Sequence, residues 1–265
     1  MTRWALRLEY DGSGYVGWQF QDNGPSLQAL LEAAAAKLNG GQPVPSVVAG
    51  RTDAGVHASG QVASIALPDR FDARTVLEAL NFHLKPHPLV VLEAAPVAEE
   101  WSPRFDAIGR TYVYVILTRR ARPGLDRRVW HAPRHLNADA MHEAGALLLG
   151  RHDFSSFRAA SCQANSPWRT LDSLDIARDG DRVLIHASAR SFLHHQVRNM
   201  VGTLKLVGEG KWPPARVADA LAACDRRAAG PTAPPDGLTL TSVRYPVDPF
   251  SPAAPDPAPA AAPPH

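Results

Sequence analysis

A chain of 265 residues, 45% hydrophobic and 20% charged, has the composition of an ordinary globular protein long enough for two modest domains or one large one. A formal net charge of +2 does not mark a nucleic-acid partner by itself, and the bias to 24 Arg against 4 Lys fits GC-rich coding as readily as phosphate recognition. Two isolated cysteines, Cys162 and Cys224, exclude a disulfide framework; no apolar run approaches the ~20 residues of a membrane span, and Met1–Tyr10 lacks the apolar core of a signal peptide, so a cytoplasmic location is expected.

In chain order, Leu6, Leu8 and Tyr10 alternate with Arg7 and Glu9, which predicts a half-buried strand over 4–10. Ser26 is placed to cap a helix over 27–38 that ends at Gly40-Gly41. A short strand near 46–49 leads into a loop at 50–58 and a returning strand at 61–67; a helix over 72–84 and a strand over 89–94 follow. Thr111–Leu117, rich in β-branched and aromatic residues, predicts another strand. A helix is expected over 137–149, entered from Asn137, then a hairpin of 171–178 and 182–189 about Asp179-Gly180. Val197, Met200, Val201 and Leu204 place a helix over 192–208; Pro213-Pro214 opens a last helix to Cys224, and 238–245 returns as a strand. The pattern predicts an α+β (mixed α/β) fold: an N-terminal half over 1–105, a C-terminal half over 106–245, each with a mixed or antiparallel sheet, and a disordered tail over 246–265 that holds 8 of the 24 prolines.

The loop Gly50-Arg-Thr-Asp-Ala-Gly-Val-His-Ala58 concentrates the chemistry. If it stays extended, Arg51 and Asp53 project to one side, and the guanidinium would hold the carboxylate ionised, as a nucleophile or general base requires. Spacing by itself favours a plainer reading, a turn Asp and Gly after a strand with Arg51 paired at the surface.

Taken with the rest of the chain, the loop resembles the signature of the tRNA pseudouridine synthase A family. The resemblance extends to Glu9-Tyr-Asp-Gly-Ser-Gly-Tyr-Val-Gly-Trp-Gln19, Pro103-Arg-Phe105, Gly109-Arg-Thr-Tyr-Val-Tyr114 and His152-Asp-Phe-Ser-Ser-Phe157. It continues through Ser166-Pro-Trp-Arg169, Phe192-Leu-His-His-Gln-Val-Arg-Asn-Met-Val-Gly202 and Gly237-Leu-Thr-Leu240, in family order. It implies the pseudouridine synthase fold, two similar halves facing a positively charged cleft, and isomerisation of uridine at positions 38 to 40 of the tRNA anticodon arm.

Carried over residue by residue, the resemblance makes Asp53 the catalytic carboxylate, which attacks the sugar, attacks the base or removes a ribose proton. Arg51 becomes the residue that displaces the target nucleotide and fills its place in the stack, because a buried base must be extruded before it reacts. Tyr112 lies beside the target base, with a core aromatic as the plain alternative; Arg198 pairs with the carboxylate, and Leu238 and Leu240 wall the uracil pocket. Arg104, Phe105, Arg110 and Arg169 are expected to contact RNA. Gln163-Ala-Asn-Ser-Pro167 and Phe20 depart from the family, since basic residues are common at both places. A homodimer is expected, and no cofactor, because the product is an isomer of the substrate. No metal site is expected either: Pro86 separates His83 from His87, Pro133 separates His131 from His135, and His194 and His195 should diverge on a helix. The competing readings are an inactive RNA-binding relative and an Asp-nucleophile hydrolase, which would need a metal-binding acidic cluster or a second carboxylate.

Overall fold

The structure, a computed structural model, describes residues 1–251. The first strand, β1 (Thr2–Tyr10), puts Trp4, Leu6, Leu8 and Tyr10 on one face, all nearly inaccessible. Helix α1 (Leu27–Leu38) starts where Ser26 Oγ accepts the Ala29 N–H at 3.3 Å, and α2 (Ala73–Leu84) where Asp72 accepts that of Thr75 at 2.7 Å. Leu27, Leu31 and Leu38 of α1 and Val76, Leu80 and Leu84 of α2 close over β1 and its neighbours β3 (His57–Leu67) and β4 (Leu89–Val97). A two-residue strand, β2 (Val47–Val48), pairs with β3 and delivers the chain to the 50–58 loop.

The second core lies under β5 (Gly109–Leu117), β7 (Gly150–Asp153), β8 (Trp168–Asp179) and β9 (Arg182–Ala189). Helices α3 (Ala138–Ala146), α4 (Gln196–Gly208) and α5 (Ala215–Ala222) supply Met141, Met200, Val201, Leu204 and Val217 to it; β6 (Trp130–His131) pairs with β5. Asn137 caps α3 as expected, accepting the Ala140 N–H at 3.0 Å, but the helix ends at Ala146, three residues early. Gly150 opens β7 at φ 93°.

The mixed α/β architecture with mostly antiparallel strands is as expected, but the two sheets are one. Strand β10 (Leu238–Arg244) runs antiparallel to β5 and parallel to β3, giving the continuous order β4-β1-β3-β10-β5-β9-β8-β7. Leu238 is buried in the second core and Leu240 in the first, so one strand serves both. Sequence periodicity cannot show this, since a strand of alternating apolar residues does not name its neighbours. The expected tail divides: residues 252–265 lie outside the described residues, whereas Asp248 pairs with Arg7 at 3.2 Å and Phe250 lies 4.6 Å from the Arg7 guanidinium carbon.

Candidate active site

Asp53 sits where the N-terminal half meets α4, on a loop tied down at nearly every residue. The Gly50 carbonyl accepts from Gln61 Nε2 at 2.7 Å, and that amide also donates to the Tyr10 hydroxyl at 3.3 Å. Tyr10 in turn shares a hydrogen bond of 2.8 Å with Thr52 Oγ1. Gln61, Tyr10 and Thr52 are all buried, and burial pushes the Tyr10 phenol up to about 12, so it stays a neutral hydrogen-bonding group. Along the loop Arg51 is exposed, Thr52 buried and Asp53 partly buried: Thr52 is the anchor, and the residues on either side face outward.

The backbone then turns. The Val56 N–H donates to the Asp53 carbonyl at 3.1 Å with Gly55 at φ 78°, a position that favours glycine in a tight turn. The other wall of the loop is the 11–18 segment. The Trp18 N–H donates to the Thr52 carbonyl at 3.1 Å, and a side chain at Gly17 would place its Cβ 2.6 Å from that oxygen. A Cβ at Gly12 would lie 2.1 Å from the Val56 carbonyl, so the glycines of the opening motif exist for close backbone approach. His57 locks the arrangement: its Nδ1 accepts the Gly12 N–H at 3.1 Å, and its Nε2 meets the Asp236 carbonyl at 3.2 Å.

Arg198 reaches Asp53 from α4, as expected. Its Nη1 donates to Asp53 Oδ2 at 3.1 Å, while its Nε donates to the Ala233 carbonyl at 2.8 Å, which orients the guanidinium. The 231–233 segment lies against α4 because residue 202 is glycine; a Cβ there would fall 1.7 Å from the Pro231 carbonyl oxygen. Arg51, read from spacing as the counter-ion, makes no ion pair with Asp53. Three other groups do so among the described residues: Arg198, His194 at 3.3 Å and His195 at 3.4 Å.

The two histidines correct the expectation that they diverge on a helix. Helix α4 begins only at Gln196, whose side-chain oxygen accepts the Leu193 N–H at 2.8 Å, and His195 takes φ 62°. This left-handed residue ahead of the first turn brings both rings to the same carboxylate, with ring centres 4.1 Å apart. Burial would push the Asp53 carboxyl up, but the His194 hydrogen bond, the charges of both imidazoles and Arg198 outweigh it and hold the group below the ordinary carboxylate range. His194 is raised, chiefly by its hydrogen bond to Asp53; His195 is lowered, chiefly by burial. The two rings on one carboxylate are thus shifted in opposite directions.

A pH dependence follows. A histidine raised in the folded state stabilises the fold fully below its unfolded value near 6.5, and this contribution disappears as pH rises through the folded value. The melting-temperature difference between the native chain and His194→Ala is therefore expected to be largest near pH 6 and to shrink toward pH 9. A constant difference over that range in parallel thermal melts would remove the His194–Asp53 interaction as its cause.

Tyr112 on β5 packs against both cores, pairs in register with Leu240 and meets the Phe192 ring edge-on at 5.4 Å. Burial, with the nearby charge of Asp53, keeps its phenol protonated. Tyr114 is wholly buried, with its hydroxyl donating to the Pro234 carbonyl at 2.8 Å. Leu238 and Leu240 are 5% and 0% exposed, strand core beside Tyr114 and Tyr112 respectively.

The RNA candidates separate. Arg104 and Phe105 are exposed, with the guanidinium carbon 5.7 Å from the Phe105 ring centre. Arg169 lines a pocket of about 310 Å³ with Arg151, Trp168 and Arg190. Arg110 is a correction: it is 8% exposed, and its two terminal nitrogens donate to four carbonyls, those of Ala49, Arg104, Ala107 and Arg190. It cannot also reach a phosphate; it ties the entry to the 50–58 loop to the 104–107 turn and the end of β9. Arg110→Met is expected to lower stability by about 3 kcal/mol, because four buried carbonyls lose their donor. Chemical denaturation measures this, and a change below about 1 kcal/mol would contradict the assignment.

A family profile described as tRNA pseudouridine synthase matches residues 144–246. The tRNA pseudouridine synthase A of Acidiphilium cryptum is 70% identical over 252 residues, covering 94% of this chain and 99% of the relative. That of Gluconobacter oxydans is 58% identical over 254 residues, covering 95% and 92%. Among solved structures, a chain in a Cbf5-Nop10-Gar1 complex matches at 12% identity with a TM-score of 0.36, covering 90% of this chain and 49% of that one.

Proposed function

The chain belongs to the tRNA pseudouridine synthase A family, and from that premise we propose that it converts uridine to pseudouridine at positions 38 to 40 of the tRNA anticodon arm, with Asp53 as the catalytic carboxylate. The observation that carries this reading is the state of Asp53. It is a partly exposed carboxylate on a rigid loop, held ionised by Arg198 and two imidazoles. The reaction breaks the bond from uracil N1 to ribose C1′ and forms one from C5 to the same carbon. The C5 proton is lost and N1 gains one, so atoms balance without an oxidant. The partly buried ring of Tyr112 beside Phe192 is a neutral face for the displaced ring, and Leu238 and Leu240 support that wall from the adjoining strand.

Arg51, exposed next to the buried anchor Thr52, is free to enter the RNA stack when the target nucleotide leaves it. Arg104, Phe105 and Arg169 are the remaining RNA contacts in this reading, the halves 1–105 and 106–245 flank the bound arm, and a homodimer is the working assembly in the cytoplasm. The test is tritium release from tRNA labelled at uracil C5, incubated with the purified chain and no added metal. Release stoichiometric with the uridines at positions 38 to 40 supports the assignment; no release, or release from other positions only, overturns it.

A further inference from the structure

The pairing of His194 and His195 on one carboxylate exceeds what orientation of Asp53 requires, since Arg198 already fixes it. Among the described residues, Asp53, His194 and His195 are the only group of three whose His, Cys, Asp or Glu donor atoms all lie within 4.8 Å of one another. We propose that these three side chains form a binding site for a divalent transition cation of the zinc class, and that an ion held there removes Asp53 from catalysis.

Bonds of about 2.0–2.1 Å in a tetrahedral zinc site place neighbouring ligand atoms roughly 3.3–3.4 Å apart. His194 Nε2 lies 3.3 Å from Asp53 Oδ1 and His195 Nε2 3.4 Å from Asp53 Oδ2, separations of that size to the two oxygens of one carboxylate. Both rings present Nε2, and the other nitrogen of His194 meets Ser161 Oγ at 3.4 Å, the outer contact that orients a ligating imidazole. The backbone is also committed, because His195 holds a left-handed conformation uncommon for a residue with a side chain. The three side chains are 39%, 27% and 20% exposed, which leaves a fourth coordination position to water. Arg198, 3.1 Å from Asp53 Oδ2, opposes a second positive charge and makes the site weaker than a dedicated zinc centre. Only the inhibitory consequence rests on the catalytic reading of Asp53; the site itself does not.

The experiment titrates Co²⁺ into the full chain without RNA and follows visible absorption, in which four-coordinate Co²⁺ is far more intense than the hydrated six-coordinate ion. The native chain is expected to give the intense band at one ion per chain, and Zn²⁺ to displace it. His194→Ala and His195→Asn, the latter tolerant of positive φ, are expected to lose it, and Arg198→Met to bind Co²⁺ several-fold more tightly. In the tritium assay, the Zn²⁺ concentration for half-inhibition is expected to rise about tenfold or more in either histidine variant. Absence of the band in the native chain overturns the site, as does a band that survives in both histidine variants. If the band is present while the metal-free chain releases no tritium, the functional reading falls and the metal site stands.

Discussion

Asp53→Asn is expected to abolish pseudouridine formation, reducing the rate by at least about 10³-fold, or ~4 kcal/mol of transition-state stabilisation. The amide keeps the size of the side chain and one acceptor for Arg198, but it has neither the charge nor the basicity that attack or proton removal requires. The loop is held by Thr52, Gln61 and the 53–56 turn, all independent of the carboxylate. The variant should therefore fold and bind tRNA with little change, and tRNA binding measured alongside tritium release separates lost chemistry from lost structure. Asp53 is not the catalytic group if the variant keeps more than a tenth of native turnover.

The second large effect is expected at Arg198. Arg198→Met should lower turnover by about 10²-fold with tRNA affinity nearly unchanged, because a carboxylate displaced by an ångström loses that much from geometry alone. Arg198→Lys should not rescue it. The native guanidinium donates through Nε to the Ala233 carbonyl and through Nη1 to Asp53, while one ammonium on a flexible stem cannot hold both positions with the same rigidity. Full turnover in the Lys variant, measured at saturating tRNA, would reduce Arg198 to a source of charge.

Asp53 is set by an unequal division of labour. The N-terminal half supplies the carboxylate and the buried platform beneath it, namely Tyr10, Thr52 and Gln61. The C-terminal half supplies its partners, Arg198 from α4 and the imidazoles just before it. Strand β10, bonded to both β3 and β5, fixes the distance between them. Arg110 reinforces the same junction from below, linking Ala49 to the end of β9.

Much of this was legible in the chain itself, because local rules decide local features. Alternating apolar residues marked β1, β-branched and aromatic residues marked β5, side-chain caps at Ser26 and Asn137 marked helix starts, and Asp179-Gly180 marked a hairpin; each depends on neighbours within a few residues. The loop at 50–58 and its glycines stood out for the same reason. Tertiary structure decided what those features touch. Asp53 has Arg198 as its partner across 145 positions, not Arg51 two residues away, because Thr52 is drawn into the core and both its neighbours face outward. His194 and His195 converge because the helix starts at Gln196, with one left-handed residue before it, a change of register that helical periodicity does not contain. Arg110 turned inward because four carbonyls from distant segments needed a donor, and β10 fused two sheets because its two neighbours lie far apart in sequence. Spacing along a chain determines which elements form, whereas partners across more than a hundred residues are selected by burial and by hydrogen-bonding groups that must be satisfied once the core closes.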